Sequence, residues 1–169
     1  MDELKFAVIG NPVSHSLSPD IHLFFASQFQ LERYTYNKIK SNENDFERDI
    51  NDFFKNGGVG LNVTVPFKGL AYNLCDELDQ SAGLCKSVNT VLIDSGKLIG
   101  HSTDGQGLID DFLHKEITLE DSKILIIGAG GSAASIISSL LFHGKIKEIS
   151  ILNRTKSNAL RLLDLFETN

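Results

Sequence analysis

Residues 123–135 read KILIIGAGGSAAS, an apolar strand-like run followed by a glycine-rich turn and the start of an apolar helix. Gly128 and Gly130 fit the first two glycine positions of the dinucleotide-binding fingerprint, and Ala133 fits the third, where alanine is accepted. Backbone amides at such a helix N-terminus can face a pyrophosphate in the favourable field of the helix dipole. The alternative is a turn that serves only tight strand-to-helix packing. The order strand, turn, helix favours the dinucleotide site.

The chain after this turn continues the same alternation. A strand at Glu148–Leu152 and a last helix from Lys156 complete a β-α-β unit and a following helix, which predicts a parallel sheet with right-handed crossovers. NAD sites place Asp or Glu at the end of the second strand to bind the ribose. This sequence has Asn153, Arg154, Thr155 and Lys156 there, with two cations and no carboxylate. The cations favour a 2′-phosphate and hence NADP; the alternative is that they are solvated residues at a helix start.

The earlier part of the chain shows an open α/β pattern of its own. Predicted strands and helices alternate with turn signals between them: strands at Lys5–Ile9, Arg33–Ile39 and Val59–Val65, a hairpin at Val88–Gly100, helices from an N-cap at Ser18 to Phe29 and at Asn44–Lys55, and short helices between Lys68 and Leu84. We therefore expect one domain at 1–105, a linker helix at 106–117 and the first half of a dinucleotide domain at 118–169.

Composition excludes several classes of protein. The chain has 169 residues, 41% of them hydrophobic, and a net charge of −6, which gives no general attraction for nucleic acids or anionic membranes. No apolar run approaches the roughly 18 residues of a membrane span, and the acidic N-terminus does not resemble a secretory signal. Cys75 and Cys85 match no zinc spacing. We expect a cytoplasmic protein with reduced thiols and no metal.

Polar residues follow the predicted strands, where open α/β sheets bind ligands. They are Ser14, His15, Ser16, Ser18, Asn62, Thr64, Lys68, Asn89, Thr90, Thr103 and Asp104. Hydroxyls and amides suit a polyhydroxylated ligand, and a lysine beside an aspartate can move a proton at a carbonyl. Taken singly, each has a structural explanation, such as helix capping by Ser18 or a solvated Lys68. Chemistry alone leaves this half ambiguous.

Six segments of the chain resemble, in order, the signature segments of the shikimate dehydrogenase family. They are GNPVSHSLSP at 10–19, NVTVPFK at 62–68, VNT at 88–90, TDG at 103–105, GAGG at 128–131 and NRT at 153–155. The resemblance covers nearly the whole chain. It implies an α/β protein in which an open N-terminal substrate domain precedes the first part of a Rossmann NADP-binding domain, with catalysis in the cleft between them.

The resemblance also implies an activity: NADPH-dependent, reversible reduction of 3-dehydroshikimate to shikimate, on the route to chorismate and the aromatic amino acids. Ser16 and Ser18 would hold the substrate carboxylate. The substrate hydroxyls would be held by Asn62, Thr64, Asn89 and Asp104. Lys68, with Asp104 beside it, would give and take the proton at the reacting oxygen, where hydride delivery develops negative charge.

The resemblance assigns the cofactor to the second half of the chain. The pyrophosphate would lie on the glycine turn, formed by Gly128, Ala129, Gly130, Gly131, Ser132 and Ala133. The adenosine 2′-phosphate would be held by Asn153, Arg154, Thr155 and Lys156. Ala134 and Asn158 stand where the family often has basic residues, so a preference for NADP over NAD would rest on Arg154 and Lys156.

Two further expectations concern the extent and the class of the protein. A full dinucleotide fold has about six strands, so we expect this chain to be a piece of a longer enzyme. A quinate/shikimate dehydrogenase paralogue would carry the same motifs. A non-catalytic NADP-binding sensor of the same fold is the alternative from another class, against which the pair Lys68 and Asp104 argues, because binding alone needs no proton-transfer groups.

Overall fold

The computed structural model describes residues 3–167, and the chain divides into two compact units. The first comprises the residues up to Glu77 together with Val88–Gly100. The second comprises Leu78–Ser87 together with the residues from His101 onward. The segment 78–87 therefore packs with residues that follow it by more than a dozen positions.

Strands and helices alternate along the described residues. The strands are β1 (Leu4–Gly10), β2 (Tyr34–Lys40), β3 (Gly58–Val63), β4 (Glu77–Leu78), β5 (Thr90–Asp94), β6 (Lys97–His101), β7 (Lys123–Ile127) and β8 (Glu148–Leu152). The helices are α1 (Ser18–Gln28), α2 (Phe46–Lys55), α3 (Lys68–Leu74), α4 (Gln80–Cys85), α5 (Asp104–His114), α6 (Gly131–His143) and α7 (Lys156–Glu167).

The first unit is built on a six-stranded sheet in the order β2-β1-β3-β5-β6-β4. β1 runs parallel to both β2 and β3, whereas β3 and β5 are antiparallel. β1, which is paired on both sides, is buried from Ala7 to Gly10, as expected of a strand covered on both faces. The register places Val8 beside Asn62 and Asn62 beside Thr90, so polar side chains from neighbouring strands lie side by side.

Helix α2 shows why the first unit holds together. Its buried residues Phe46, Ile50 and Phe54 recur every four positions and so lie on one face of the helix. Phe46 packs against Phe67, with ring centroids 4.9 Å apart. Gly57, directly after this helix and its C-cap Asn56, has a φ of +86°, a conformation that favours glycine.

The second unit is a β-α-β unit with helices against one face. β7 and β8 are parallel, in the register Ile124 to Ile149 and Ile126 to Ile151. These four side chains pack against buried residues of α5, α6 and α7. The opposite face of the strand pair is open: Leu125, Ile127 and Leu152 are 59%, 77% and 56% exposed. The predicted bounds of both strands are confirmed.

One helix start differs from the sequence prediction. Ser18 was expected to cap α1, but it is the first helical residue, and Leu17 precedes it without a side-chain cap. The Ser18 hydroxyl accepts a hydrogen bond from the Ser16 hydroxyl at 3.1 Å instead. Competing polar partners outside the helix explain the difference.

Within residues 3–167, no helix combines the length and the apolar character that crossing a membrane requires. The same residues contain no group of three or more His, Cys, Asp or Glu side chains placed to hold a metal ion. Cys75 and Cys85 are free, and burial raises the pKa of both thiols, that of Cys75 to about 11.

Candidate active site

Ser16 and Ser18 lie together at the entry to α1. The Ser16 hydroxyl donates to Ser18 Oγ at 3.1 Å, and the Ser18 backbone N–H donates to Ser16 Oγ at 3.2 Å. The Ser16 backbone N–H donates to the Val13 carbonyl at 3.1 Å, which closes the turn after β1. Both serines are half-buried. The local turn therefore presents two neighbouring hydroxyls, a suitable pair for a carboxylate.

Asn62, near the end of β3, is hydrogen-bonded on both sides of its amide. Its Oδ1 accepts from the Tyr36 hydroxyl at 2.7 Å. Its Nδ2 donates to Thr90 Oγ1 at 3.2 Å and to the Asn89 carbonyl at 3.4 Å. The Asn89 carbonyl also accepts from the backbone N–H of Val63. The structure thus brings Asn62 and Asn89 together, as expected for two groups that bind one ligand.

Tyr36 is a site residue that the sequence prediction missed. It is only 5% exposed, and its ring stacks on His22 with centroids 4.4 Å apart. Burial raises the pKa of Tyr36 to about 12, although a hydrogen bond with Ser18 partly offsets the effect. The phenol is therefore neutral at physiological pH and keeps its hydrogen to donate. The alternation in residues 33–39 predicted a strand there, but not which neighbouring strand Tyr36 meets.

Thr64 and Lys68 lie on the segment between β3 and α3. The Thr64 backbone N–H donates to the Ile9 carbonyl at 2.9 Å, and its side chain lies so close to Gly10 that any Cβ there would collide with it. Lys68 begins α3, and its carbonyl accepts from the Val88 N–H at 3.0 Å. Both side chains are half-buried. The first unit thus holds Lys68 and five of the six predicted substrate-binding residues.

Asp104, the sixth, begins α5 in the second unit. Its Oδ2 accepts from the Ser132 hydroxyl at 2.9 Å. The backbone N–H of Gly105 donates to Oγ of the fully buried Ser135 at 3.0 Å, and the Ser102 hydroxyl donates to the same oxygen at 2.8 Å. The start of α5 is therefore fixed to the glycine-turn helix α6. Serines on an apolar helix are a weak sequence signal, and this contact was not predicted.

The glycine turn has the backbone that the fingerprint requires. Gly128 has a φ of +128°, which side chains rarely adopt, and its N–H donates to the Leu152 carbonyl at 2.8 Å. Gly130 is the N-cap of α6 with no side-chain cap, so the first amides of the helix have no capping side chain over them. Nothing lies within 4 Å of a Cβ placed on Gly130. The turn therefore leaves room for the close approach of a pyrophosphate.

The turn after β8 presents the predicted phosphate-binding residues. Asn153 Nδ2 donates to the Thr155 carbonyl at 2.8 Å, and the backbone N–H of Asn158 donates to the same carbonyl at 3.1 Å. Arg154, Thr155 and Lys156 are exposed. Two cations at the start of α7 are unfavourable for the helix dipole and become favourable when an anion lies beside them. These residues fit a 2′-phosphate.

The comparisons with known proteins match both units. The family model of the shikimate dehydrogenase substrate binding domain matches residues 8–91, and the shikimate / quinate 5-dehydrogenase model matches residues 112–169. The shikimate dehydrogenase (NADP(+)) of Acinetobacter baylyi is 43% identical over 159 residues, which are 94% of this chain and 60% of that protein.

Solved structures agree with the family models. Shikimate 5-dehydrogenase of Thermus thermophilus in complex with shikimate has a TM-score of 0.88 at 32% identity, over 97% of this chain and 61% of that one. Its complex with NADP(H) and shikimate has a TM-score of 0.87 at 31% identity, over 97% and 61%. The chain spans about 60% of the length of the relatives it matches. With the family models covering most of both units in the expected order, the chain belongs to the shikimate dehydrogenase family.

Proposed function

We propose that the natural polypeptide carrying this chain catalyses the NADPH-dependent, reversible reduction of 3-dehydroshikimate to shikimate, on the route to chorismate and the aromatic amino acids. The observation that carries the proposal is the hydrogen-bonded cluster of Ser16, Ser18, Asn62 and Asn89 in the first unit. Its hydroxyl and amide groups match a small ring acid with several hydroxyls. The Thermus thermophilus relative is described as a complex with shikimate.

In this reaction the serine hydroxyls of residues 16 and 18 donate to the substrate carboxylate. The hydroxyls of the ring are bound by Asn62, Thr64, Asn89 and Asp104. NADPH held by the glycine turn and the turn after β8 would supply a hydride to the carbonyl carbon, which would leave the electron pair of the C=O bond on oxygen. The Lys68 ammonium stabilises that oxygen and then gives it a proton, and the reverse reaction returns the proton to the lysine.

Asp104 has two roles in the proposal. Its carboxylate binds a substrate hydroxyl, and it keeps the Lys68 ammonium charged and oriented until transfer, as the family resemblance implies. The hydrogen bond from Ser132 and the fixed start of α5 support a stable orientation of this carboxylate. An orientation held by neighbouring groups lowers the cost of positioning in the transition state.

The cofactor is assigned to residues 118–169. The turn Gly128, Ala129, Gly130, Gly131, Ser132 and Ala133 binds the pyrophosphate, and the turn Asn153, Arg154, Thr155 and Lys156 binds the 2′-phosphate. The curated relative is named for NADP(+), which supports this cofactor. We assign the reaction to the cytoplasm, in keeping with two free cysteines.

Neither a quinate/shikimate dehydrogenase paralogue nor a non-catalytic NADP-binding sensor is favoured. The curated relative is named for shikimate and NADP(+), not for quinate alone or for sensing. The test is an assay of the natural polypeptide with NADP and either shikimate or quinate, read as NADPH absorbance. Shikimate-dependent NADPH formation that exceeds the quinate rate is expected. Faster oxidation of quinate would favour the paralogue, and NADP binding without turnover would favour the sensor.

A further inference from the structure

Four polar side chains of the first unit form a continuous chain of hydrogen bonds. In order they are Tyr36, Asn62, Thr90 and Asn89. Asn62 and Asn89 are substrate-binding residues of the proposed function, and Tyr36 and Thr90 have no role in it. We propose that Tyr36 and Thr90 are positioning residues that orient the Asn62 amide for the substrate, an inference that rests on the proposed function.

The orientation of Asn62 is fixed by a group that can only accept. The Asn89 carbonyl lies 3.4 Å from Nδ2 of Asn62, and a carbonyl oxygen has no hydrogen to donate. The amide nitrogen must therefore face Asn89 and Thr90, which turns Oδ1 toward Tyr36. The Tyr36 hydroxyl is then the donor in the bond of 2.7 Å. Reversing the amide would place two acceptors against each other, a cost comparable to a lost hydrogen bond.

This orientation also determines the phenol of Tyr36. Tyr36 has one hydrogen, and Oδ1 of Asn62 takes it at 2.7 Å, so any further partner of the phenol oxygen must donate to it. The Tyr36 hydroxyl hydrogen therefore points toward Asn62.

The same logic determines the other side. Thr90 Oγ1 accepts from Asn62 Nδ2 at 3.2 Å, so its single hydrogen is available to Oδ1 of Asn89, also at 3.2 Å. Asn62 and Thr90 are paired across β3 and β5, which holds the two side chains in register. The direction set at Tyr36 thus continues unchanged to Asn89.

The direction has a consequence for a bound substrate. The Tyr36 hydrogen stays on Asn62, and the Nδ2 hydrogens of Asn62 stay on their two acceptors. Asn62 therefore offers the remaining lone pair of Oδ1 and accepts from a substrate hydroxyl.

Tyr36 is built to hold this arrangement. Its ring is 5% exposed and stacked on His22, so the phenol oxygen has little freedom to move. Removing the hydroxyl leaves Oδ1 of Asn62 without its fixed donor, and the amide then rotates more freely before it meets the substrate. Orientation lost in the free enzyme must be restored on binding, which weakens affinity.

The test is Tyr36→Phe in the natural polypeptide. We expect the KM for shikimate to rise about tenfold while the KM for NADP stays within twofold, because the cofactor residues lie in the second unit. Tyr34→Phe is the matched control. Tyr34 lies on the same strand, but its hydroxyl contacts His22 at 3.5 Å and not a member of the hydrogen-bond chain. The control is expected to leave both constants within twofold.

Thr90 provides an independent pair of variants. Thr90→Val keeps the shape and removes the hydroxyl, so the KM for shikimate should rise severalfold. Thr90→Ser keeps the hydroxyl and should leave it within twofold. If Thr90 served only packing, serine would disturb the protein more than valine, and the order would reverse. This pair decides the question even if Tyr36→Phe does not fold.

The outcomes separate the two proposals. If the wild-type enzyme is active and Tyr36→Phe leaves the KM for shikimate unchanged, the positioning role is overturned. If Tyr36→Phe does not fold, an unchanged KM for shikimate in Thr90→Val overturns it instead. A lower unfolding temperature alone does not support it. Wild-type polypeptide that never turns over shikimate defeats the proposed function, and the positioning role with it.

Discussion

Lys68 is the residue on which turnover depends most in the proposed reaction. Replacing it with alanine removes both the charge that stabilises the developing oxyanion and the proton donor. General acid–base groups contribute roughly 10²- to 10⁴-fold. We expect Lys68→Ala to lower kcat by at least about 100-fold with the KM for NADP little changed, measured by shikimate oxidation. Lys55→Ala, at the exposed end of α2, is the control; a loss below about tenfold in Lys68→Ala would contradict the assignment.

Tyr36 also makes the stability of the protein depend on pH. Burial raises its pKa to about 12, whereas an unfolded tyrosine ionises near pH 10. The folded state therefore favours the neutral phenol, and its stabilising contribution is complete below pH 10 and is lost as the pH rises toward 12. We expect the free energy of unfolding to fall more steeply over this range in the wild type than in Tyr36→Phe. Denaturant titrations at several pH values would show parallel curves if the expectation is wrong.

Two glycines of α5 differ sharply in what surrounds them. A Cβ on Gly105 would collide with the main chain of Ser135, whereas a Cβ on Gly107 would meet nothing within 4 Å. Gly105→Ala should therefore separate α5 from α6 and cost about 2–4 kcal/mol of unfolding free energy. Gly107→Ala should stabilise the helix by about 0.5–1 kcal/mol. Urea denaturation measures both, and equal effects would refute the close approach.

The proposed function places the cofactor preference in the turn between β8 and α7. Arg154 is exposed two residues after β8, and Lys147 is exposed directly before the same strand, so the two provide a matched removal of one positive charge. Arg154→Ala should raise the KM for NADPH about tenfold or more and change that for NADH little, because only NADPH has the 2′-phosphate. Lys147→Ala should change neither. A parallel rise for both cofactors in Arg154→Ala would exclude a contact specific to the phosphate.

Sequence reasoning worked best where the residues that indicate a strand or a turn all lie within that strand or turn. The strands at 123–127 and 148–152 and the turn between the first of them and α6 were predicted because apolar runs and glycines are local. Tyr36 was missed because its partner Asn62 is 26 positions away, on a strand separated from β2 by β1. The predicted Ser18 cap was wrong because the Ser18 hydroxyl bonds to Ser16 in the preceding turn and not to the first turn of the helix.

The open face of the second unit predicts how the polypeptide behaves in solution. Leu125, Ile127 and Leu152 form an exposed apolar strip on two parallel strands. Such surfaces associate in water. We expect the polypeptide 1–169 by itself to show concentration-dependent association in sedimentation velocity, and Ile127→Lys to reduce it. Thr118→Lys, which adds the same charge at another exposed site, is the control. A wild-type chain that stays monomeric would contradict this.

Residues 78–87 belong to the second unit although they lie between two segments of the first unit in sequence. This limits how genes of this family can be recombined. α4 belongs to the second unit, where Cys85 packs in one cluster with Ala133 and Ile137 of α6, although first-unit sequence lies on both sides of it. A chimera joined once, after Gly100, would pair the α4 of one parent with the α6 of another. Swapping cofactor specificity between relatives therefore calls for three junctions, so that α4 and its partner helix are inherited together.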